Sequence, residues 1–190
     1  MLVTYFTQDD AYVVAAERRM FDLVPRSAAT QAAQDKEIEA QQNEAVAAIR
    51  EVFAIPTGGS RNSNIVFAIG EAARDLQDIP GGDGLDRILL VFTDGYQTSV
   101  DVSFAEIQTE DFDLQILMDR SGELDLLPDL DGAEVHMYGV RSGEEAGGQF
   151  PQWFDRKVKS FWEGLVARGG GELCSYRLDA AAVAIPGRCS

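Results

Sequence analysis

An aspartate follows an apolar run in the stretch "DRILLVFTDG", residues 86–95. A continuous run of this kind is typical of a parallel strand covered by helices on both faces. Ligands of open α/β sheets gather at the carboxyl ends of such strands, and Asp94 would lie at one. Gly95 allows the chain to turn sharply behind it. Two interpretations stay open, a ligand-binding carboxylate and an ordinary Asp-Gly turn.

Other residues with chemical potential give weaker signals. His136 is the only histidine and lies within an apolar strand pattern, so we expect a structural role. One histidine excludes a zinc site built from several histidines. The stretch Asp129 to Gly132 resembles part of a calcium loop, but Tyr138 stands where the required glutamate would fall. We therefore predict a turn before a strand.

The two cysteines, Cys174 and Cys189, do not form a C-x-x-C pair. A disulfide between them would tie the C-terminal tail to the last strand. Free thiols in a reducing compartment are equally compatible with this spacing, so the sequence leaves the localisation open.

The composition limits the partners. The chain has 32 acidic and 16 basic residues and a formal charge of −16. Binding to a nucleic-acid backbone is not expected, because phosphates need cationic side chains, whereas cations and basic protein surfaces are favoured. The apolar runs are too short to cross a bilayer, and the N-terminus shows no targeting pattern. We expect a globular chain that does not insert into membranes.

The hydrophobic pattern divides the first third of the chain into a hairpin and a helix. Leu2 to Phe6 is predicted as a strand, and the segments Ala11 to Val14 and Met20 to Val24 as strand material returning beside it. Residues 27–53 carry an amphipathic helix pattern. Its inward positions are predicted to be Ile38, Val46, Ile49 and Phe53.

Helices and strands then alternate. A helix capped by Asn62 or Ser63 extends to Leu76, with Ile65, Ala68, Ile69 and Ala72 on its inner face. Strands are predicted at 87–93, 133–140 and 172–178. A helix at 152–167 directs inward Phe154, Val158, Phe161, Trp162 and Leu165. This order predicts an α/β fold with a mostly parallel central sheet and an N-terminal hairpin.

Several stretches together resemble the von Willebrand factor A (VWA) family. They are "LLVFTDG", the Gly-Gly loop and helix of "GGSRNSNIVFAIGEA", the strand "AEVHMYGV", and the helix and glycine-rich exit of "FWEGLVARGGGELCSY". The N-terminal segment, "LVTYFTQDDAYVV", is similar to the family's second and third strands. The resemblance implies a three-layer Rossmann-like VWA fold, with one domain over residues 1–179 and a tail at 180–190.

The resemblance also implies a site and a function. Family members bind protein ligands through a metal-ion-dependent adhesion site, in which three loops hold a divalent cation. Asp94 matches the aspartate of the third loop. Ser63 matches the hydroxyl residue of the second loop by its spacing to Ala68 and Ile69, and Ser60 is its competitor. The expectation is a non-enzymatic interaction module with a protein ligand.

The chain departs from the family at the first loop. The motif Asp-x-Ser-x-Ser is absent from the sequence, and the chain is expected to begin one strand and one helix later than the family. Asp94 and one serine supply few ligands, so we expect Mg²⁺ to bind only weakly. Without the first strand, either Leu2 to Phe6 pairs with Ile88 to Phe92 or a strand from another chain fills the gap.

A second function class remains open from the sequence. A phosphoryl-transfer or hydrolase domain on a similar sheet would use Asp94 as nucleophile or metal ligand. Such a site usually also needs a lysine at a neighbouring strand end. The three lysines, at 36, 157 and 159, fall in predicted helices, which favours the interaction module.

Overall fold

The computed structural model describes residues 2–9, 12–20, 30–54, 63–78, 87–140, 150–177 and 189. The chain packs as two compact units, residues 1–60 and 61–190. The assignment of residues 1–179 to one VWA-like domain stays a prediction.

The first unit contains a β-hairpin and a long helix. Strand β1 (Leu2–Asp9) pairs with β2 (Tyr12–Met20) in antiparallel register, with Leu2 opposite Met20. The predicted hairpin is confirmed: β2 begins within the expected segment Ala11 to Val14 and continues to Met20, and residues 21–24 lie outside the described part of the chain. Helix α1 (Gln31–Ala54) confirms the helix predicted at 27–53. The prediction of its inward face was partly wrong, because Val46 is 40% exposed and Ala48 is buried instead.

The second unit alternates helices and strands. In chain order they are α2 (Ile65–Gln77), β3 (Ile88–Phe92), α3 (Gln115–Glu123), β4 (Glu134–Tyr138), α4 (Gln152–Arg168) and β5 (Glu172–Arg177). The strands form a parallel sheet in the order β3-β4-β5. A parallel sheet with helical connections confirms the α/β class. None of the described helices is long and apolar enough to cross a membrane.

The core of the second unit lies between one face of this sheet and the helices. Leu89, Val135 and Met137 point to this face, and they pack with buried side chains of α2, α3 and α4. All five residues predicted to face inward from α4 are buried. The alternate residues of β4, including His136, point to the opposite face, because successive side chains of a strand alternate.

Of the two arrangements expected for the missing strand, the pairing of Leu2 to Phe6 with Ile88 to Phe92 was wrong, and a strand from another chain stays a prediction. Strand β1 pairs with β2 in its own two-stranded sheet, and β3 pairs with β4. A hairpin closes a short loop, so its pairing has a smaller entropic cost than a distant one. Burial of β3 on both faces was also wrong, since Leu89 is buried and its other four residues are only half-buried.

Two local predictions also need correction. Helix α2 is capped by Asn64, whose side chain accepts a hydrogen bond from the Phe67 amide, and not by Asn62 or Ser63. Helix α3 was missed entirely. Its sequence, QILMDRSGE, is short and polar and buries only Leu117, Met118 and Ser121, so no extended apolar pattern revealed it.

Candidate functional site

The loop after β3, residues 93–99, carries the aspartate that the sequence singled out. Asp94 is exposed, and its Oδ1 accepts a hydrogen bond from the Tyr96 amide at 3.0 Å. Thr93 Oγ1 accepts one from the Gly95 amide at 3.1 Å. Gly95 has a φ of 75°, a conformation that side chains disfavour. The Asp-Gly turn therefore exists, and it presents the carboxylate to solvent in a fixed orientation.

Trp162 fixes this turn through a hydrogen bond from the core. Its indole Nε1 donates to the Gly95 carbonyl at 3.0 Å, and the side chain has 0% of its surface exposed. A Cβ added to Gly95 would lie 3.0 Å from Val140 Cγ1 and 3.4 Å from the Tyr176 hydroxyl. The helical spacing predicted Trp162 as a core residue but gave no sign of this bond.

Gln97 holds the same loop to the start of α2. It is fully buried, and its Oε1 accepts hydrogen bonds from the amides of Ile65 at 2.7 Å and Val66 at 3.2 Å. These amides belong to the first turn of α2, which has no partners within the helix for its N–H groups. The Nε2 atom donates to Ser99 Oγ at 2.9 Å and the Val102 carbonyl at 3.2 Å. Sequence reasoning missed Gln97, since a glutamine in a polar loop carries no distinguishing signal.

Ser63 lies against the loop, as its proposed role requires. The Ser63 amide donates to Thr98 Oγ1 at 2.7 Å, and the Thr98 amide donates to the Ser63 carbonyl at 2.9 Å. The structure therefore brings the chain at Ser63 beside the segment that carries Asp94. Its competitor, Ser60, lies outside the described residues.

The residues present do not fit a tight magnesium site. Asp94 and Ser63 offer one carboxylate and one hydroxyl, whereas Mg²⁺ requires six oxygen ligands in near-ideal octahedral geometry. In the part of the chain that the structure describes, the one group of three clustered His, Cys, Asp or Glu ligands does not include Asp94.

No family model, curated protein or solved structure matches this chain. The resemblance to the VWA family thus depends on the sequence motifs.

An aromatic shelf is formed by Tyr96 of the loop, by Phe150 stacked on it, and by Trp153, whose ring contacts Phe154. All three side chains are half-buried. Tyr96 stacks on Phe150 with ring centroids 5.5 Å apart, and Phe150 stacks on the buried Phe154 at 4.6 Å. The sequence predicted that Phe154, Phe161 and Trp162 face inward from the helix at 152–167. The structure buries Phe154, Phe161 and Trp162 and leaves Phe150 and Trp153 half-buried.

Two tyrosines near Asp94 are held in the neutral form. Burial raises the pKa of Tyr176 well above its usual value of 10, and the negative charges of Asp155, Asp94 and Glu163 raise it further. Burial and Asp94 also raise the pKa of Tyr96. Both phenols are therefore hydrogen-bond donors at neutral pH, and neither serves as a base.

The pKa of Tyr176 leads to a prediction at alkaline pH. Unfolding releases this tyrosine to its usual pKa of 10, so above pH 10 the unfolded chain binds fewer protons than the folded one. The contribution of Tyr176 to the free energy of unfolding is fully retained below pH 10. It is lost as the pH rises above 10, by up to about 1.4 kcal/mol per pH unit for one group. We expect Tyr176→Phe to reduce the loss between pH 10 and 11, measured by urea unfolding. An unchanged pH slope in this variant would contradict the assignment.

The other candidates from the sequence lie outside the Asp94 loop. His136 lies within β4 and is 2% exposed. Asp131 and Gly132 form a turn before β4 with φ angles of 43° and 78°. Cys174 and Cys189 form a disulfide with a Cα–Cα distance of 5.3 Å. The sequence left open a disulfide or free thiols, and the structure contains the disulfide.

Proposed function

We propose that this chain is a non-enzymatic protein-interaction module of the VWA type, with a degenerate adhesion site. Its contact surface is the loop at residues 93–99 together with the aromatic shelf. The observation that carries the proposal is an exposed carboxylate, Asp94, on a loop fixed from two sides by Trp162 and Gln97.

Rigidity supports recognition because a fixed group loses little conformational entropy on binding. The shelf adds apolar area next to the charge, and Tyr, Trp and Phe are enriched at the centres of protein interfaces. The formal charge of −16 favours a basic partner. We therefore propose a protein ligand that pairs an arginine or lysine with Asp94 and places an apolar side chain on Tyr96.

The arrangement of the second unit supports the VWA-type fold. Helix α2 precedes β3, the Asp94 turn follows β3, and β4 and β5 continue the parallel sheet beside it. This is the order in which the family motifs occur in the sequence. A three-layer arrangement completed by a strand from another chain stays a prediction.

The surroundings of Asp94 do not favour the phosphoryl-transfer alternative. Lys157 and Lys159 lie on α4, as predicted, where Lys157 Nζ donates to the Phe112 carbonyl at 2.7 Å and Lys159 pairs with Glu163 at 3.4 Å. The nearby phenols of Tyr96 and Tyr176 are neutral, so neither serves as a general base beside Asp94.

Selection of binding peptides tests this function. A phage-displayed peptide library is selected on the wild-type protein, and bound sequences are expected to be rich in arginine or lysine next to an apolar residue. We expect Asp94→Asn to weaken binding of the selected peptides about tenfold, a difference of about 1.4 kcal/mol. Asparagine retains the oxygen that accepts from Tyr96 and removes only the charge. Isothermal titration calorimetry measures the change.

Asp101→Asn is the matched control, because Asp101 is an exposed carboxylate two residues beyond the loop. It is expected to leave the affinity unchanged. Equal affinity in Asp94→Asn would contradict the proposal, whereas phosphate-ester hydrolysis that disappears in this variant would favour the enzyme. Millimolar Mg²⁺ is expected to change the melting temperature by less than about one degree. A larger increase, lost in both Asp94→Ala and Ser63→Ala, would indicate a complete metal site.

A further inference from the structure

A second cluster of chemically active groups lies at the opposite end of the sheet from Asp94. Glu134 is the first residue of β4, and Cys174 lies in β5 beside it. Ligand atoms of Glu134, Cys174 and Cys189 are all within 4.8 Å of one another. The disulfide therefore brings Cys189, from the C-terminal tail, next to the Glu134 carboxylate.

His136 adds a fourth group. Its side chain is 3% exposed, and its Nε2 lies 3.9 Å from Glu134 Oε2. Neither of these two buried atoms has a hydrogen-bond partner among the described residues. A buried polar atom without a partner destabilises the fold. Both atoms could therefore accept a bond from a ligand at this position.

The other ring nitrogen of His136 is already oriented. Nδ1 lies 3.1 Å from Ser175 Oγ on the neighbouring strand. With Nδ1 protonated and donating to this hydroxyl, Nε2 carries the lone pair that a metal ion needs. Metal-binding histidines usually have such a partner on the second nitrogen.

We propose that, after reduction of the disulfide, Cys174, Cys189, Glu134 and His136 form a four-ligand site for zinc or a similar divalent ion. Two thiolates, one imidazole and one carboxylate are all established types of zinc ligand. The two thiolates favour zinc over Mg²⁺ or Ca²⁺, which select oxygen ligands. The disulfide and the metal are then alternative crosslinks that fasten the same tail residue to β5.

The chemistry is balanced with a dithiol as the reductant. The dithiol supplies two electrons and two protons, the S–S bond breaks to give two cysteine thiols, and the dithiol becomes a disulfide. Binding of Zn²⁺ then releases the two thiol protons to solvent and forms two Zn–S bonds. The site has three anionic ligands and one neutral ligand, so its net charge with Zn²⁺ is about −1.

The geometry requires the four ligand side chains to rearrange around a common point. With Zn–S bonds of about 2.3 Å in a tetrahedron, the sulfur atoms must separate to roughly 3.8 Å. His136 is not among the groups whose ligand atoms all lie within 4.8 Å of one another, so Cys189 and the side chains of Glu134 and His136 must all adjust to reach one ion. Glu134 and His136 are both on β4, two residues apart and on the same face of the strand.

Cobalt titration tests the proposal. The full chain is purified without a polyhistidine tag, because His136 is its only histidine. It is reduced without oxygen by a water-soluble phosphine, since dithiols would themselves bind the metal. We expect one Co²⁺ per chain, with thiolate-to-cobalt charge-transfer absorption and the intense visible bands of a tetrahedral site. Zn²⁺ should displace it, and the oxidised protein should show neither absorption.

Variants identify the four ligands. Cys189→Ser is expected to abolish stoichiometric binding, and Glu134→Gln and His136→Ala each to weaken it at least tenfold. Glu172→Gln, an exposed carboxylate two residues from Cys174, is the matched control and should bind like wild type. Absence of charge-transfer absorption in the reduced wild-type protein would overturn the proposal. Equal affinity in Glu134→Gln and wild type would also overturn it, even if His136→Ala fails to fold.

Discussion

Replacement of Trp162 by alanine is expected to lower the free energy of unfolding of the second unit by about 4 kcal/mol. The indole is fully buried and contacts Phe104 and Phe161, with ring centroids 5.8 and 5.3 Å away. Truncation leaves a large cavity and also leaves the Gly95 carbonyl without its Nε1 donor. Urea unfolding followed by far-ultraviolet circular dichroism measures the loss.

Two further variants separate packing from the hydrogen bond. Trp162→Phe keeps most of the ring but removes the donor to Gly95, and we expect a loss of about 2 kcal/mol. Trp153→Ala removes a half-buried indole of the same helix, and its expected cost is smaller than that of Trp162→Ala. Equal losses in Trp162→Ala and Trp153→Ala would show that Trp162 does not anchor the core.

Replacement of Gln97 by methionine is expected to cost about 3 kcal/mol, although the side-chain volume is nearly unchanged. The substitution removes the acceptor for the amides of Ile65 and Val66 and the donor to Ser99 Oγ. Buried N–H groups without an acceptor carry the desolvation penalty, so the loss exceeds that of an average hydrogen bond. Urea unfolding gives the stability of the variant.

Gln108→Met provides the control for this prediction. Gln108 is exposed, so the same substitution there should change stability by less than about 0.5 kcal/mol. Peptides selected on the wild-type protein should also bind Gln97→Met more weakly, because the Asp94 loop loses its attachment to α2. Unchanged stability and unchanged peptide affinity would together contradict the role given to Gln97.

The sequence predicted the features that depend on local pattern. The spacing of apolar residues in α4 placed all five predicted inward side chains in the core. Apolar runs predicted β3 and β4, although β3 is not buried on both faces, and the glycines before Glu172 marked the start of β5. The glycine after Asp94 predicted the turn, since its φ of 75° favours glycine.

Predictions from local pattern were less accurate where few apolar residues repeat at a regular spacing. Helix α1 is rich in alanine, which favours a helix without identifying its buried face, so the prediction for Val46 was wrong. Helix α3 is held by contacts of a few residues and has no pattern of its own. The cap of α2 was misplaced by one residue because neighbouring polar residues are all suitable caps.

Only the tertiary structure decided which distant groups meet. Gln97 reaches the amide of Ile65, 32 residues earlier, and His136 reaches Ser175, 39 residues later. The cysteines, dismissed as a metal pair by their spacing, lie against Glu134 because β4 and β5 are neighbours in the sheet. Sequence period determines the face on which a side chain lies, whereas strand order and register determine its neighbours. For this protein, local pattern therefore predicted Asp94 and its turn. Packing determined which groups hold that turn and which residues form the second cluster.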